Sequence, residues 1–141
     1  MERKGSAEWK GGLKDGSGTV STESGALEHI PYSFKTRFEK GQGTNPEELI
    51  AAAHAGCFSM AFAVELEKNG FNPKSIHTTA TVTLEKSSDG FSIPMIHLEV
   101  ETQISGIEEA KLQQIANHAK ENCPVSKLMT AKITMHGTKL D

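Results

Sequence analysis

The sequence predicts an α+β protein whose sheets are largely antiparallel. Segments with alternating apolar and polar residues predict strands, most clearly at 78–86 and 91–104. A long apolar segment at 45–64 predicts one helix, and an amphipathic segment after residue 105 predicts a second. The strands occur in groups joined by hairpin-length turns, with the helices between the groups. This order is typical of α+β proteins.

The composition is that of a globular protein, with 36% hydrophobic and 23% charged residues in 141. This length suits a single domain, residues 1–141, with one core. The net charge of −3 gives no electrostatic reason to expect nucleic acid or an anionic membrane as a partner. The first residues lack a secretory signal, and His, Ser or Glu interrupts each apolar run before it reaches membrane-spanning length. We therefore expect a cytoplasmic protein without a membrane partner.

The N-terminal part predicts three extended segments. Residues 7–10 and 18–22 flank turn-forming glycines and predict a hairpin. A third strand is predicted at 31–39, where Tyr32, Phe34, Thr36 and Phe38 alternate with polar residues. A glycine-rich connection at 41–44 then leads to the long helix.

The long helix has a clear beginning and end. Asn45 is a good N-cap, Pro46 suits the first helical position, and Glu48 occupies the capping-box position. Asn69-Gly70 is typical of a helix C-terminus. Because residues 49–64 are apolar or small on every side of the helix, we expect it to be buried all round.

The C-terminal part predicts a hairpin, a helix and a last strand. The apolar phase slips near Pro94, which predicts a bulge on an exposed edge. Ser105 to Glu108 resembles a capping box that opens the second helix. Its buried stripe is predicted to contain Leu112, Ile115, Ala116, Ala119 and Cys123. Pro124 ends this helix, residues 124–129 suggest one more helical turn, and the last strand is predicted at 131–138.

Residue types alone leave several interpretations of Cys57 and Cys123 open. Inert packing is the ordinary role of free cysteines on apolar stripes. A metal site could use His54 and Cys57, three residues apart, but a second ligand pair is lacking. A thiol hydrolase could use His54 as its base, although no third residue is available to orient it. The absence of a Cys-x-x-Cys motif disfavours a thioredoxin-type site.

A reactive Cys57 needs a nearby cation, because burial raises the pKa of a thiol. Arg37, between two phenylalanines, is the candidate cation, and Glu47 is the candidate carboxylate that holds its guanidinium through a two-point pair. Each also has a simpler interpretation, Arg37 as a solvated strand residue and Glu47 as a helix-dipole partner.

The spacing of Glu47 and Cys57 bears on oligomeric state. Ten residues of helix separate them by about 15 Å, so they cannot touch within one straight helix. A shared site therefore needs Arg37 to bridge the gap, or a second copy of the helix running antiparallel. The all-round apolar surface favours the second arrangement, a homodimer with this helix at its centre.

Three motifs resemble a known family. The segments GTNPEEL at 43–49, AAAHAGCF at 51–58 and CPVS at 123–126 are similar to those of the OsmC/Ohr family of thiol-dependent hydroperoxide reductases. The resemblance covers essentially the whole chain. Residues 18–25 and 36–39 resemble the OsmC branch. The Ohr branch differs, because it has its activating arginine in the N-terminal hairpin loop, where residues 13–16 of this chain contain no arginine.

The resemblance implies a site and a mechanism. It makes Cys57 the peroxidatic thiol, Cys123 the resolving thiol that forms an intrachain disulfide with it, and Arg37 with Glu47 the activating pair. It implies an OsmC-like domain in an intertwined homodimer, with two central helices wrapped by sheets of both subunits. We expect a stress-defence enzyme without a cofactor or metal, which is reduced by an external thiol or dithiol. The alternative is a non-catalytic binding protein with inert thiols.

The substrate expectation rests on apolar residues around Cys57. Phe34, Phe38, Phe58 and Met60 are predicted to line a pocket that favours organic hydroperoxides over hydrogen peroxide.

Overall fold

The computed structural model describes residues 1–140, in which six strands and four helices alternate in an α+β order. The chain divides into two compact units, Met1–Leu49 and Ile50–Asp141, and the longest helix begins in the first unit and continues into the second. The elements are, in chain order, β1 (Gly5–Lys10), β2 (Ser17–Thr22), β3 (Ile30–Ser33), α1 (Phe34–Phe38), α2 (Pro46–Lys68), β4 (Ser75–Ser87), β5 (Gly90–Gln103), α3 (Glu109–Asn122), α4 (Pro124–Leu128) and β6 (Lys132–Leu140).

The first unit contains an antiparallel sheet in the order β1-β2-β3. Gly18 in the middle strand is paired with Trp9 on one side and Tyr32 on the other, and the two ring centroids are 5.3 Å apart. A Cβ atom at Gly18 would lie 2.6 Å from the Tyr32 ring and 2.8 Å from the Trp9 ring. The glycine therefore makes room for the aromatic contact. The predicted N-terminal hairpin is confirmed.

The predicted strand at 31–39 is wrong beyond Ser33, because the chain turns there into the short helix α1. Ser33 and Thr36 form a reciprocal capping box, in which the Ser33 hydroxyl accepts from the Thr36 N–H and the Thr36 hydroxyl accepts from the Ser33 N–H. Phe34 and Phe38 occupy positions i and i+4 of this helix. Their spacing fits an alternating strand equally well, which explains the error.

The N-terminus of α2 confirms the predicted Asn45 cap, whose side-chain oxygen accepts from the Glu48 N–H at 2.8 Å. The Glu48 carboxylate instead accepts from the Thr44 hydroxyl at 2.6 Å. The Asn45 amide also donates to the Thr36 carbonyl at 3.1 Å, which joins α1 to the start of α2. The predicted C-terminal signal is confirmed, since the helix ends at Lys68 and Gly70, two residues later, adopts a φ of +83°.

Within the single chain α2 is not buried all round, contrary to the expectation from its composition. One stripe at four-residue spacing is buried and consists of His54, Phe58, Phe62 and Leu66. The opposite side exposes small and apolar residues, namely Ala52, Ala53, Gly56, Met60 and Val64. Met60 is 74% exposed and Val64 is 47% exposed.

By length and composition alone, α2 is long and apolar enough to span a membrane. This differs from the expectation based on its polar interruptions. Core helices of soluble proteins meet the same criterion, and α2 contributes three side chains to the core of the second unit, Phe58, Phe62 and Leu66.

The second unit contains a sheet in the order β4-β5-β6. β4 and β5 form the predicted antiparallel hairpin, whereas β6 pairs with β5 in parallel. The sheets are therefore largely antiparallel, as the sequence predicts, with one parallel pair at this edge. The parallel pairing follows from the connection through α3 and α4, which returns the chain to the starting end of β5. The predicted bulge is confirmed, since Ile93 and Pro94 lie between the paired positions Met95 and Ser92 where β4 has only Leu84.

The helices of this unit pack on the sheet through a shared core. α3 begins at Glu109, four residues later than the predicted capping box at Ser105, and its N-cap Glu108 makes no side-chain hydrogen bond. The predicted stripe from Leu112 to Cys123 is confirmed as buried. These side chains pack with the buried stripe of α2 and with Ile96, Leu98 and Val100 of β5.

Candidate active site

The two cysteines meet in the second unit. The sulfur of Cys57, in the middle of α2, lies 3.1 Å from the sulfur of Cys123, and both thiols are free. Cys123 is fully buried between the end of α3 and the start of α4, whereas Cys57 is half-buried. The residues are 66 positions apart. The fold therefore brings together two thiols that the sequence placed on separate helices.

The surroundings of the two thiols shift their pKa values in opposite directions. Burial raises the pKa of Cys57, the Val125 N–H opposes this, and the adjacent Cys123 raises the pKa further. Burial also acts to raise the pKa of Cys123, but hydrogen bonds from the Ser126 N–H, the Cys57 thiol, the Ser126 hydroxyl and the Val125 N–H outweigh it and lower the pKa. The hydrogen bonds at the start of α4 therefore favour the charged form of Cys123 more than that of Cys57.

The start of α4 explains this difference. Cys123 is the N-cap residue and Pro124 occupies the first turn, so the free amides of that turn point towards the Cys123 side. A helix start favours a negative charge, and the pKa of Cys123 is lowered in agreement with this position.

His54 lies one turn before Cys57 on α2 and is fully buried. Its Nε2 atom lies 2.8 Å from the Ser126 hydroxyl, whereas its Nδ1 atom is buried without a hydrogen-bond partner among residues 1–140. Burial lowers the pKa of His54. The base that a thiol hydrolase would need is thus directed at Ser126 rather than at Cys57.

The second pair of predicted site residues meets in the first unit. Arg37 donates from Nε and Nη2 to the same Glu47 oxygen, Oε1, at 3.0 and 2.8 Å. The pair is two-point at the guanidinium but uses one carboxylate oxygen, and the other, Oε2, is buried without a partner in the described chain. The capping box of α1 and the Asn45 link to Thr36 position the two residues. Glu47 is 12% exposed and Arg37 is 39% exposed.

Each unit carries a cavity beside its pair. A cavity of about 340 Å³ in the second unit is lined mostly by apolar side chains, with Cys57 and Met60 on one wall and Ala119 on the other, and with Glu65 among its polar residues. A cavity of about 220 Å³ in the first unit is lined by Arg37 and by aromatic rings that include Trp9, Phe34 and Phe38. Of the four residues predicted to line an apolar pocket around Cys57, Met60 lines the cavity beside Cys57, whereas Phe34 and Phe38 line the cavity of the first unit. Phe58 lines neither cavity, because it is fully buried in the core.

Two residues of the thiol site were not predicted as such. Ser126 contacts both Cys123 and His54, and Val125 contributes its N–H to both sulfurs. The available signal was the helix-start position of both residues after Pro124, where side chains and amides converge on the N-cap. Within residues 1–140 no group of three His, Cys, Asp or Glu side chains is arranged to hold a metal ion.

Known proteins resemble this chain over most of its length. The family model described as OsmC-like protein matches residues 39–136. Peroxiredoxin OsmC of Escherichia coli (strain K12) is 52% identical over 135 residues, which cover 96% of this chain and 94% of that protein.

Solved structures show the same fold. An OsmC-like protein of unknown function from Vibrio cholerae superposes with a TM-score of 0.77 at 20% identity, covering 98% of this chain and 99% of that one. An OsmC-like protein from Mycoplasma pneumoniae gives 0.76 at 15% identity, covering 100% and 99%. At these identities the structures establish shared architecture.

Proposed function

The chain belongs to the OsmC family, and from this membership we propose that Cys57 and Cys123 carry out the reduction of organic hydroperoxides. The enzyme is a cysteine-dependent hydroperoxide reductase and a homologue of peroxiredoxin OsmC. The observation that carries the assignment of residues is the 3.1 Å separation of the two free sulfurs. A disulfide needs a separation of about 2 Å, so a small movement suffices for the bond to form.

The peroxidatic step is assigned to Cys57. Cys57 lines the apolar cavity of the second unit, whereas Cys123 is fully buried and does not line it. The Cys57 thiolate attacks one peroxide oxygen, the O–O bond breaks, and the leaving alkoxide takes a proton to become an alcohol. Cys57 is left as a sulfenic acid.

The resolving step is assigned to Cys123. Its thiolate attacks the sulfenic sulfur of Cys57 and expels hydroxide, which takes a proton to become water. The disulfide is then reduced by an external thiol or dithiol through exchange, and no cofactor enters this cycle. The electrons balance, because the thiol or dithiol supplies the two electrons that the peroxide consumes.

Arg37 is proposed as the cation that activates Cys57. In the described chain no cation is among the groups that set the pKa of Cys57, and burial raises that pKa. A guanidinium keeps its charge in a partly buried site and stabilises both a thiolate and a developing alkoxide. Glu47 fixes the orientation of Arg37 through the two hydrogen bonds described above. The aromatic cavity beside Arg37 supports an apolar substrate.

A homodimer is proposed through the exposed side of α2. Gly56 lies in mid-helix, where glycine costs about 1 kcal/mol relative to alanine, and a Cβ at Gly56 would meet nothing within 4 Å in this chain. Small residues at Ala53 and Gly56, followed by exposed Met60 and Val64, provide a close-approach surface for a second helix of the same sequence. We propose the intertwined arrangement implied by the family, with residues 1–141 as one domain per subunit.

The cellular setting proposed is the cytoplasm, where the thiols stay reduced between turnovers.

The test is thiol counting before and after addition of one equivalent of cumene hydroperoxide. We expect loss of two thiols and an intrachain disulfide in the wild type. Cys57→Ser should abolish peroxide consumption, whereas Cys123→Ser should consume about one equivalent and accumulate oxidised Cys57. Two thiols that stay reduced would favour the inert binding protein. If Cys123→Ser fails to consume even the first equivalent of peroxide, the roles of the two cysteines are reversed.

The role of Arg37 is tested by Arg37→Ala, with Arg3→Ala as the matched control because Arg3 lies in an exposed N-terminal segment. We expect Arg37→Ala to raise the pKa of Cys57 and to lower the rate of peroxide consumption about 10- to 100-fold at neutral pH. The measurement is the pH dependence of thiolate absorbance and of the single-turnover rate. An unchanged titration would remove Arg37 from the site.

A further inference from the structure

His54 and Ser126 form a buried pair behind Cys123. They are 72 residues apart, on α2 and α4, and neither is more than 7% exposed. The distance from His54 Nε2 to the Ser126 hydroxyl oxygen is 2.8 Å. Ser126 follows the N-cap residue Cys123 by three positions at the start of α4, and its N–H and hydroxyl lower the pKa of Cys123. A single serine thus connects a buried imidazole to the proposed resolving thiol.

The unpartnered nitrogen of His54 determines the direction of these hydrogen bonds. A neutral imidazole has one N–H donor and one acceptor nitrogen. If Nδ1 carried the proton, a buried N–H would have no acceptor, because Nδ1 has no partner in the described chain. A buried orphan donor is the rarer and costlier case. The proton therefore belongs on Nε2, which donates to the Ser126 oxygen and leaves the Ser126 O–H free to donate to Cys123.

We propose that His54 is a positioning residue, which directs the Ser126 hydroxyl towards the Cys123 sulfur and thereby keeps Cys123 ready to attack the oxidised Cys57. The inference rests on the proposed function. Its consequence is confined to the second half of the cycle, in which the Cys123 thiolate forms the S–S bond while the Cys57 S–O bond breaks and hydroxide leaves. A hydroxyl that donates to the thiolate favours the charged form, in agreement with the lowered pKa of Cys123.

The titratable groups around Cys123 are few within the described unit. Cys57 faces it from α2, and His54 reaches it from the same helix through Ser126. Glu65 lies farther along α2 and lines the same cavity of the second unit as Cys57. The buried state of His54 keeps the imidazole neutral, so it acts as a hydrogen-bond donor and not as a charge.

The experiment separates disulfide formation from peroxide reduction in single turnovers. Reduced protein is mixed with one equivalent of cumene hydroperoxide between pH 5.5 and 9. The sulfenic acid is trapped with dimedone, and the disulfide is quantified by mass spectrometry. For Ser126→Ala and His54→Leu we expect disulfide formation to slow about three- to tenfold at pH 7, with its pH midpoint raised by about one unit. Excess peroxide should then yield more sulfinic acid at Cys57.

Two further variants serve as controls. His54→Gln places an N–H donor near the position of Nε2 and should restore most of the wild-type pH midpoint. Ser59→Ala removes a half-buried hydroxyl from the same helix, one that bonds the Ala55 carbonyl and Thr78, and should leave disulfide formation unchanged. A disulfide rate and pH midpoint in folded Ser126→Ala equal to those of the wild type would overturn the inference. If the wild type itself forms no disulfide, the proposed function fails instead.

A measurement on the wild type keeps the inference testable if the variants fold poorly. The ¹⁵N chemical shifts of the His54 ring should show a protonated Nε2 and an unprotonated Nδ1 in the reduced protein at neutral pH. The opposite tautomer would make Ser126 the donor to His54, with no proton left for Cys123, and would refute the proposal.

Discussion

The two sides of α2 are chemically alike but lie in different surroundings. The inner stripe at Phe58, Phe62 and Leu66 is fully enclosed by β5 and α3, whereas the outer side at Gly56, Met60 and Val64 faces outward in this chain. Cys57 lies between them and is half-buried. The apolar residues of one helix therefore serve two purposes. One side stabilises the chain itself, and the other is available to a second copy.

The largest expected effect is on the inner side. Phe62→Ala should lower the free energy of unfolding by about 3–5 kcal/mol, because it deletes a ring that is 1% exposed and leaves a cavity. Met60→Ala, on the outer side, should lower the unfolding free energy of the separated subunit by less than about 1 kcal/mol. Urea unfolding at low protein concentration measures both. Equal losses would show that the two sides do not differ as described.

An intermediate effect is expected on self-association. Met60→Glu places a carboxylate on the outer side and should weaken a dimer at least about 100-fold, since an unpaired charge would have to be buried. Sedimentation equilibrium measures the dissociation constant. Leu140→Glu is the matched control, an exposed leucine on β6 that is changed to the same residue. A wild type that remains monomeric at high concentration would contradict the proposed dimer directly.

The smallest effect concerns the polar member of the inner stripe, His54. Its pKa lies below the ordinary value of 6.5 in the folded chain because of burial, and unfolding restores it. Between those two values the unfolded state binds more protons, so stability is complete above about pH 6.5 and declines as the pH falls below it. The loss should be measurable as a lower free energy of unfolding at pH 5.5 than at pH 7.5. His54→Gln should lack this component in urea unfolding at pH 7.5 and 5.5.

Two carboxylates with lowered pKa values titrate below the pH range in which His54 affects stability. A hydrogen bond from Lys68 lowers the pKa of Glu65, and hydrogen bonds from His97 and His136 lower that of Glu99. Stability from these groups is present above the ordinary carboxyl pKa and is lost only as the pH falls through their lowered values, below 4.5. A decline between pH 6.5 and 5.5 that persists in His54→Gln would therefore assign it to another group.

Local sequence patterns predicted much of the fold but not the pairing of its elements. The Asn45 cap, the Gly70 end of α2, the Pro94 bulge and the α3 stripe each depend on neighbouring residues, so spacing revealed them. The parallel pairing of β6 depends on where a distant segment returns, which periodicity does not encode. At Phe34 to Phe38 two periods fitted the same residues, and the Ser33–Thr36 capping box decided for a helix.

The site shows the same division. Arg37 and Glu47 were predicted as partners from charge and context, and their contact is confirmed. The position of Cys123 beside Cys57 could be inferred only through resemblance, because 66 residues separate them. Ser126 was not identified because a serine at a helix start is common, and its contact with His54 arises from tertiary packing.

Because the two cysteines are far apart along the chain, the catalytic cycle changes the stability of the fold. A bond between Cys57 and Cys123 would close a loop that contains β4, β5 and α3. By the chain-entropy relation, closing such a loop lowers the conformational entropy of the unfolded chain, which raises its free energy by about 4 kcal/mol. Each encounter with peroxide would then leave the molecule harder to unfold and to digest until a reductant reopens the loop. The heat resistance of the protein would thus record its recent oxidation.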